Sequence, residues 1–340
     1  NNGQNPDGAS KPPLHLPVAI GLVVKGQSHT FEEGGSTRLL EVTEANQVFE
    51  IDNVEDKPVV SLLRGFSAPV RLKSADDDDT LAALIGSDSD DFVKWDAMQR
   101  YASRVIEAQA RGEPLSDAFI SAYRQAMSSD IDDAMKAQLL TLPSEEYLAD
   151  RQAQHGLVDV FEIRGAREDI KKILATEFEA QWTSWFSRYE NPETYQANGR
   201  QIGQRALRHL ALSYLSQARP EALDWAETLL GNADNLSDRL ATLRVLVNGG
   251  DESTRSAVLG NFYQQWQHEA LIVNQWFTLQ ATRPSADTVE SVIALQNHGA
   301  FDWRNPNKIR ALVGGFASAN PIAFHRQDGA GYAFLGDVIA

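Results

Sequence analysis

The 340 residues carry 47 Asp and Glu against 31 Lys and Arg, a formal net charge of −16, with 42% hydrophobic residues and no cysteine. That balance excludes the basic footprint a nucleic-acid backbone requires, and the missing thiols exclude disulfides, thiolate metal sites and cysteine nucleophiles. The length allows more than one domain with a real core, and no apolar run reaches the roughly 20 residues a bilayer crossing needs.

The start, "NNGQNPDGASKPP", has no hydrophobic stretch of a signal peptide and reads as a linker or cut end over 1–13. From 14 to 74 the pattern is that of strands. "LHLPVAIGLVV", "STRLLEV", "QVFEIDNV" and "PVVSLLRGFSAPVRLK" are rich in β-branched and apolar residues and are separated by turn chemistry such as "KGQ" and "EEGGS". The spacing predicts a small antiparallel β-sandwich, with its first strand or strands missing. In "QVFEIDNV", Val48, Glu50 and Asp52 share one face and Phe49, Ile51 and Asn53 the other. A domain of about 60 residues is marginal alone and leans on a neighbour. Arg64 and Arg71 read as solvated strand-face charges, with contact to another domain as the alternative.

After residue 74 the texture changes at "SADDDD", an acidic run suited to the positive end of a helix starting near Thr80. Helical stripes follow: Phe92, Trp95, Met98 and Val105 in one segment, and Ile170, Ile173, Leu174, Phe178 and Trp182 in another. Boundaries recur as "GEPLSD", "TLPSEE", "ENPET", "ARPEA", "GNADNLSD", "NGGDEST", "TRPSADT" and "RNPNK", with Pro in the first turn or Asp, Ser or Asn at the cap. Short helices in series predict an irregular armadillo- or HEAT-like α-solenoid over 75–340. Trp95, Trp276 and Phe277 are expected in its core.

Motifs for chemistry are incomplete. "HEALI" at His268 has Ile272 where a second zinc-binding histidine belongs, and the seven histidines never fall three or four apart. A calcium loop from Asp88 would need glycine and glutamate where Val93 and Gln99 stand, so helix capping is the expected role of that run. "GQSHT" and "GGSTR" lack the last glycine of a nucleophile elbow, and "GAGYAF" lacks the third glycine of a dinucleotide fingerprint. By its motifs the chain is not a complete enzyme.

The stretch "NPNKIRALVGGFASANPIAFH" reads as a helix with Asn305 as cap and Pro306 as its first residue. Gly314 and Gly315 inside it point to close approach of another helix or to a kink. Arg310 is out of place on this small, apolar surface. A structural role would join it to backbone carbonyls or to an acid such as Asp302 or Asp328.

Several stretches together resemble the C-terminal part of bacterial aminopeptidase N, a zinc metallopeptidase family of the gluzincin class. They are "KPPLHLPVAIGL", "FEIDNVEDKPVVSLLRGFSAPVRL", "DDFVKWDA", "LTLPS", "NQWFTLQAT" and "NPNKIRALVGGFASANPIAFHRQDGAGYAFL", in the family's order from Lys11 almost to the end. The resemblance implies a multidomain chain, a small immunoglobulin-like β-sandwich followed by a helical superhelix truncated at its C-terminal end. It also implies that the zinc-binding His-Glu-x-x-His helix and the catalytic domain belong to a part of the polypeptide this sequence does not contain. In the family, zinc polarises the scissile carbonyl and the motif glutamate activates a water.

By the same resemblance the helical part caps the catalytic chamber and controls access of short peptides, and Arg310 faces that chamber. The expected activity is removal of N-terminal residues from peptides by the whole enzyme, in the cytoplasm. The chain itself is expected to hold no metal or catalytic residue, to be inert alone, and to have the catalytic domain as its partner, without nucleic acid or membrane. The alternative is a free-standing α-solenoid that binds a protein partner.

Overall fold

The computed structural model describes residues 12–154, 156–188 and 193–340. The expected linker up to residue 11, His155 and most of the "ENPET" boundary lie outside the described residues. Two compact units are present, one up to Ala108 and again Gly112–Leu142, the other Gln109–Arg111 and Pro143–Ala340. Among the described residues no helix is long and apolar enough to cross a membrane.

The first unit begins with a four-stranded antiparallel sheet built on β1 (Leu16–Val24). β2 (Gln27–Ser28) and β3 (Arg38–Val42) follow one another along one edge of β1, and β4 (Val59–Leu62) takes the other edge. The register places Leu40 opposite Val18 and Leu62 opposite Ile20, so these side chains share a face. Ile20, Leu22 and Phe31 are buried there, and Ile51 and Val54 close over them.

The segment expected as the strand "QVFEIDNV" is not one: it crosses the sheet face as irregular chain. Val48 and Phe49 are exposed and Asn53 sits at φ 59°, a left-handed conformation that interrupts any extended run. β4 is likewise shorter than expected, because Leu63, Gly65 and Phe66 all have positive φ and wind the chain into a tight turn over Arg64–Phe66.

That turn delivers Arg64 to the interior, which corrects the expectation of a solvated strand charge. Arg64 donates to Asp88 Oδ1 at 2.7 Å, to Ser61 Oγ at 3.0 Å, to the Ser36 carbonyl at 2.6 Å and to Thr37 Oγ1 at 3.0 Å. Asp88 is therefore the anchor of a buried arginine; helix capping falls to Asp90, whose Oδ1 accepts from Val93 N at 3.0 Å.

The helices of this unit are α1 (Asp78–Ser87), α2 (Asp91–Ala110), α3 (Asp117–Ser128) and α4 (Asp133–Leu139). Their starts follow the cap chemistry: Asp77, Ser116 and Asp132 each accept a backbone N–H of the first turn. The buried side of α2 centres on Val93, Ala97, Met98, Tyr101 and Ile106, and Trp95 is only half-buried.

The second unit is an all-helical solenoid: α5 (Glu145–Ala153), α6 (Val160–Glu177), α7 (Glu179–Ser187), α8 (Gly199–Ala218), α9 (Ala222–Asn232), α10 (Leu236–Gly249), α11 (Glu252–Trp266), α12 (Ala270–Ala281), α13 (Thr288–Leu295), α14 (Pro306–Ile309), α15 (Gly315–Ala319), α16 (Pro321–Phe324) and α17 (Ala330–Ile339). Chain neighbours pack in sequence, α7 on α8, α9 on α10, α10 on α11, α11 on α12 and α12 on α13. The stripe expected as one helix through Trp182 is two, because Phe178 (φ −111°, ψ 23°) breaks the run between α6 and α7. The break brings Trp182 under Tyr214, the rings stacked at 4.3 Å, and lets Trp182 Nε1 donate to the Leu174 carbonyl at 3.1 Å. The core around α12 holds Leu243, Val273, Trp276, Phe277, Leu312, Phe316 and Phe334.

Candidate functional site: the wide turn that carries Arg310

Asn305 caps α14 by accepting from Asn307 N at 3.0 Å, and Pro306 follows it at the first helical position. One turn later the helix changes type. Arg310–Gly314 is a π-helical turn, in which the Gly315 N–H reaches back to the Arg310 carbonyl five residues away. A run of three consecutive buried residues, Ala311, Leu312 and Val313, accompanies it. The hydroxyl of Thr278 on α12 lies 3.2 Å from the Ala311 carbonyl and 3.0 Å from the Asn274 carbonyl, so its single proton serves both.

The turn explains the irregularity expected at Gly314 and Gly315, but not by close approach. A Cβ on Gly315 would meet Ala281 and Thr282 at 3.8 Å, ordinary contact, and one on Gly314 would meet only its own helix at 3.9 Å. The segment ends on Asn320, which is buried: its Nδ2 donates to the Ala281 and Arg283 carbonyls at 2.9 and 2.7 Å, and its Oδ1 accepts from Ala323 N at 3.2 Å. Both ends of the Arg310 segment are thus tied, Thr278 and Asn320 holding it to α12 and the chain just after it.

Arg310 itself is exposed. Its guanidinium makes one long hydrogen bond, 3.4 Å to Asn307 Oδ1. Neither acid expected as a structural partner reaches it: Asp302 pairs with Arg304 at 3.2 Å and Asp328 with Arg326 at 2.8 Å. Among the described residues no carboxylate pairs with Arg310. Just before the helix in sequence, Trp303 is 43% exposed and packs edge-on against Phe301 at 4.9 Å. The Lys308 ammonium sits 5.5 Å over the Phe277 ring, and burial pushes its pKa down. Between residues 302 and 310 the chain carries Arg304, Lys308 and Arg310 against the single acid Asp302, on a chain that is acidic as a whole. A planar guanidinium held loosely in such a place can take a carboxylate by two parallel hydrogen bonds.

Among the described residues no three His, Cys, Asp or Glu converge as a metal ion requires. His268 lies in the short link between α11 and α12, exposed. The sequence reading missed Asn320 and Thr278. The "ANP" triplet carried a signal for the first, since an Asn before Pro marks a helix start, but its carbonyl partners come from 37 and 39 residues away.

Comparison with known proteins finds two matched family domains. Residues 1–75 match a domain of unknown function with an Ig-like fold (DUF3458), and residues 78–340 match a domain of unknown function described as ARM repeats (DUF3458_C). Aminopeptidase N of Escherichia coli is 35% identical over 98% of this chain, and that of Haemophilus influenzae 31% identical over 98%. This chain spans only about 39% of the length of each. A crystal structure of Legionella pneumophila aminopeptidase A in complex with aspartic acid superposes with a TM-score of 0.85 at 27% identity, covering 99% of this chain and 41% of that one. The chain belongs to the family these paired Ig-like and ARM-repeat domains define, and corresponds to the C-terminal part of the aminopeptidase N family.

Proposed function

We propose that this chain is the non-catalytic part of a zinc aminopeptidase that removes N-terminal residues from peptides. The metal ligands and the hydrolytic groups belong to the rest of that polypeptide, which is the partner of this part. Residues 14–74 form its β part, and the helical part from 75 onward walls the chamber and admits short peptides.

The observation that carries this reading is Arg310, exposed on a wide turn whose ends are tied to α12, with no carboxylate of its own among the described residues. A peptide whose amino end is at the catalytic centre still carries a terminal carboxylate. Arg310 holds that carboxylate, and so acts on short free peptides and not on substrates lacking the group.

The test uses the full-length polypeptide. Arg310→Ala raises KM for tripeptides about tenfold, the size of one charge-assisted contact, and leaves hydrolysis of an aminoacyl nitroanilide unchanged, because that substrate has no terminal carboxylate. Equal effects on both substrates, or none on the tripeptide, overturn the assignment. A second arm uses this chain alone with and without added zinc. No release of amino acid is expected, and zinc-dependent turnover would overturn the placement of the catalytic groups.

A further inference from the structure

A second polar site lies on α8 and α10, separate from the helix that carries Arg310. Where these helices begin, a cleft of about 250 Å³ opens, lined by Tyr195, Gln201, Arg205, Arg208, Asn235 and Asp238 among others. Its floor is polar and buried, and most of its polar atoms are hydrogen-bonded to one another. Arg208 donates to Asp238 Oδ2 at 2.6 Å, His209 Nε2 meets Asp238 Oδ1 at 2.5 Å, and Asn235 Nδ2 reaches Asp238 Oδ2 at 2.8 Å. Gln201, 5% exposed, accepts from Gln196 N at 2.7 Å and donates to the Thr194 carbonyl at 3.1 Å. Desolvating so many polar groups at one place is costly, and a rigid polar floor under an open cleft is a feature of binding sites.

The three carboxylates of the cleft are already engaged. Glu193 pairs with Arg200 at 2.5 Å, Asp238 with Arg208 and His209, and Asp234 accepts from the Asn235 amide at 2.9 Å. Arg205 is the contrast. It is half-buried, its guanidinium carbon lies over the Tyr195 ring at 4.9 Å, and its polar contact is a long one, 3.4 Å to Gln201 Oε1. Among the described residues no carboxylate neutralises it, in a chain with an excess of 16 negative charges. A cation–π contact with the ring face holds the guanidinium in place without using its N–H groups as hydrogen-bond donors.

We propose that this cleft binds a small oxyanion, a carboxylate or phosphate group, on the Arg205 guanidinium above the Gln201 and Asp238 floor. This site is independent of the peptide-binding role given to Arg310, and neither result decides the other.

Calorimetric titration of this chain with succinate and, separately, with inorganic phosphate, at matched ionic strength, tests it. Saturable binding of one of the two is expected, and which one binds names the group. Arg205→Gln weakens that binding at least about tenfold, the loss expected for a charged two-point contact, while Arg244→Gln, an exposed arginine of the same α10, leaves it unchanged. A circular-dichroism melt of each variant shows that the fold is retained. No saturable binding of either anion, or equal affinity in wild type and Arg205→Gln, overturns the proposal.

Discussion

Arg64 and Asp88 meet at 2.7 Å with side chains 2% and 0% exposed, and the guanidinium fills the space where a side chain on Gly21 would stand. A Cβ there would lie 2.2 Å from Arg64 Cζ. Gly21 in the middle of β1 is thus required by what passes over it, and the ion pair joins the sheet to the link between α1 and α2.

Arg64→Ala leaves the Asp88 carboxylate buried without its partner and should cost about 3–5 kcal/mol of stability. Urea unfolding of this chain measures it. The double change Arg64→Met with Asp88→Leu should cost less than Arg64→Ala alone, because no buried charge remains. A double variant less stable than the single one would show that the pair contributes more than mutual neutralisation.

Asp238 sets an acid limit. Burial alone would raise its pKa, but hydrogen bonds from His209, Arg208 and Asn235 override that and hold it well below the ordinary carboxylate value of 3.8. The folded chain therefore binds this proton less readily than the unfolded one. The stabilisation is complete above the ordinary value and is lost as pH falls below it. Asp238→Asn should lower the urea midpoint at neutral pH and flatten the decline below about pH 4. An acid limb as steep as that of the parent chain would exclude Asp238 as its source.

Asn320→Ala removes three hydrogen bonds at once, to the Ala281 carbonyl, the Ala323 N–H and the Arg283 carbonyl, the last of which still accepts from Ser285 N and Thr288 Oγ1. The expected loss is about 2–4 kcal/mol. Hydrogen exchange should also quicken in α15 and α16, and protection equal to the parent would show that these helices hold without the clamp.

Thr278→Val keeps the shape of the side chain and deletes the hydroxyl that serves the Ala311 carbonyl. It should cost about 1 kcal/mol. In the full-length polypeptide it should also weaken tripeptide binding without touching Arg310. Unchanged tripeptide KM would mean that the wide turn persists without this contact.

The general plan was legible because it rests on local signals. Ser116, Ser144, Asp159, Asn198 and Asp251 all cap helices, and each stands in or beside a stretch with ordinary cap chemistry. What stayed hidden depends on partners far along the chain. Arg64 looked like a surface charge because its partners Ser36 and Asp88 are 28 and 24 residues away. The Arg205 cleft was hidden for a similar reason, since Arg208 and Asp238 are 30 residues apart. A closer look at "NLSD" could have found half of it: Asn235 accepts from Asp238 N, the spacing of a capping pair. The π turn had no visible signal beyond its two glycines, and neither glycine is there for lack of room.

Because the turn at Arg310–Gly314 holds one residue more than an α-helical turn, the heading of the Arg310 side chain is set by residue count as well as by rotamer. Deleting a single residue from this turn would let the segment close as regular helix and swing the flanking faces by about 100° relative to each other. The same arginine, with the same charge and the same neighbours in sequence, would then address a different part of its surroundings. In this chain the aim of one guanidinium depends on how many residues its turn holds.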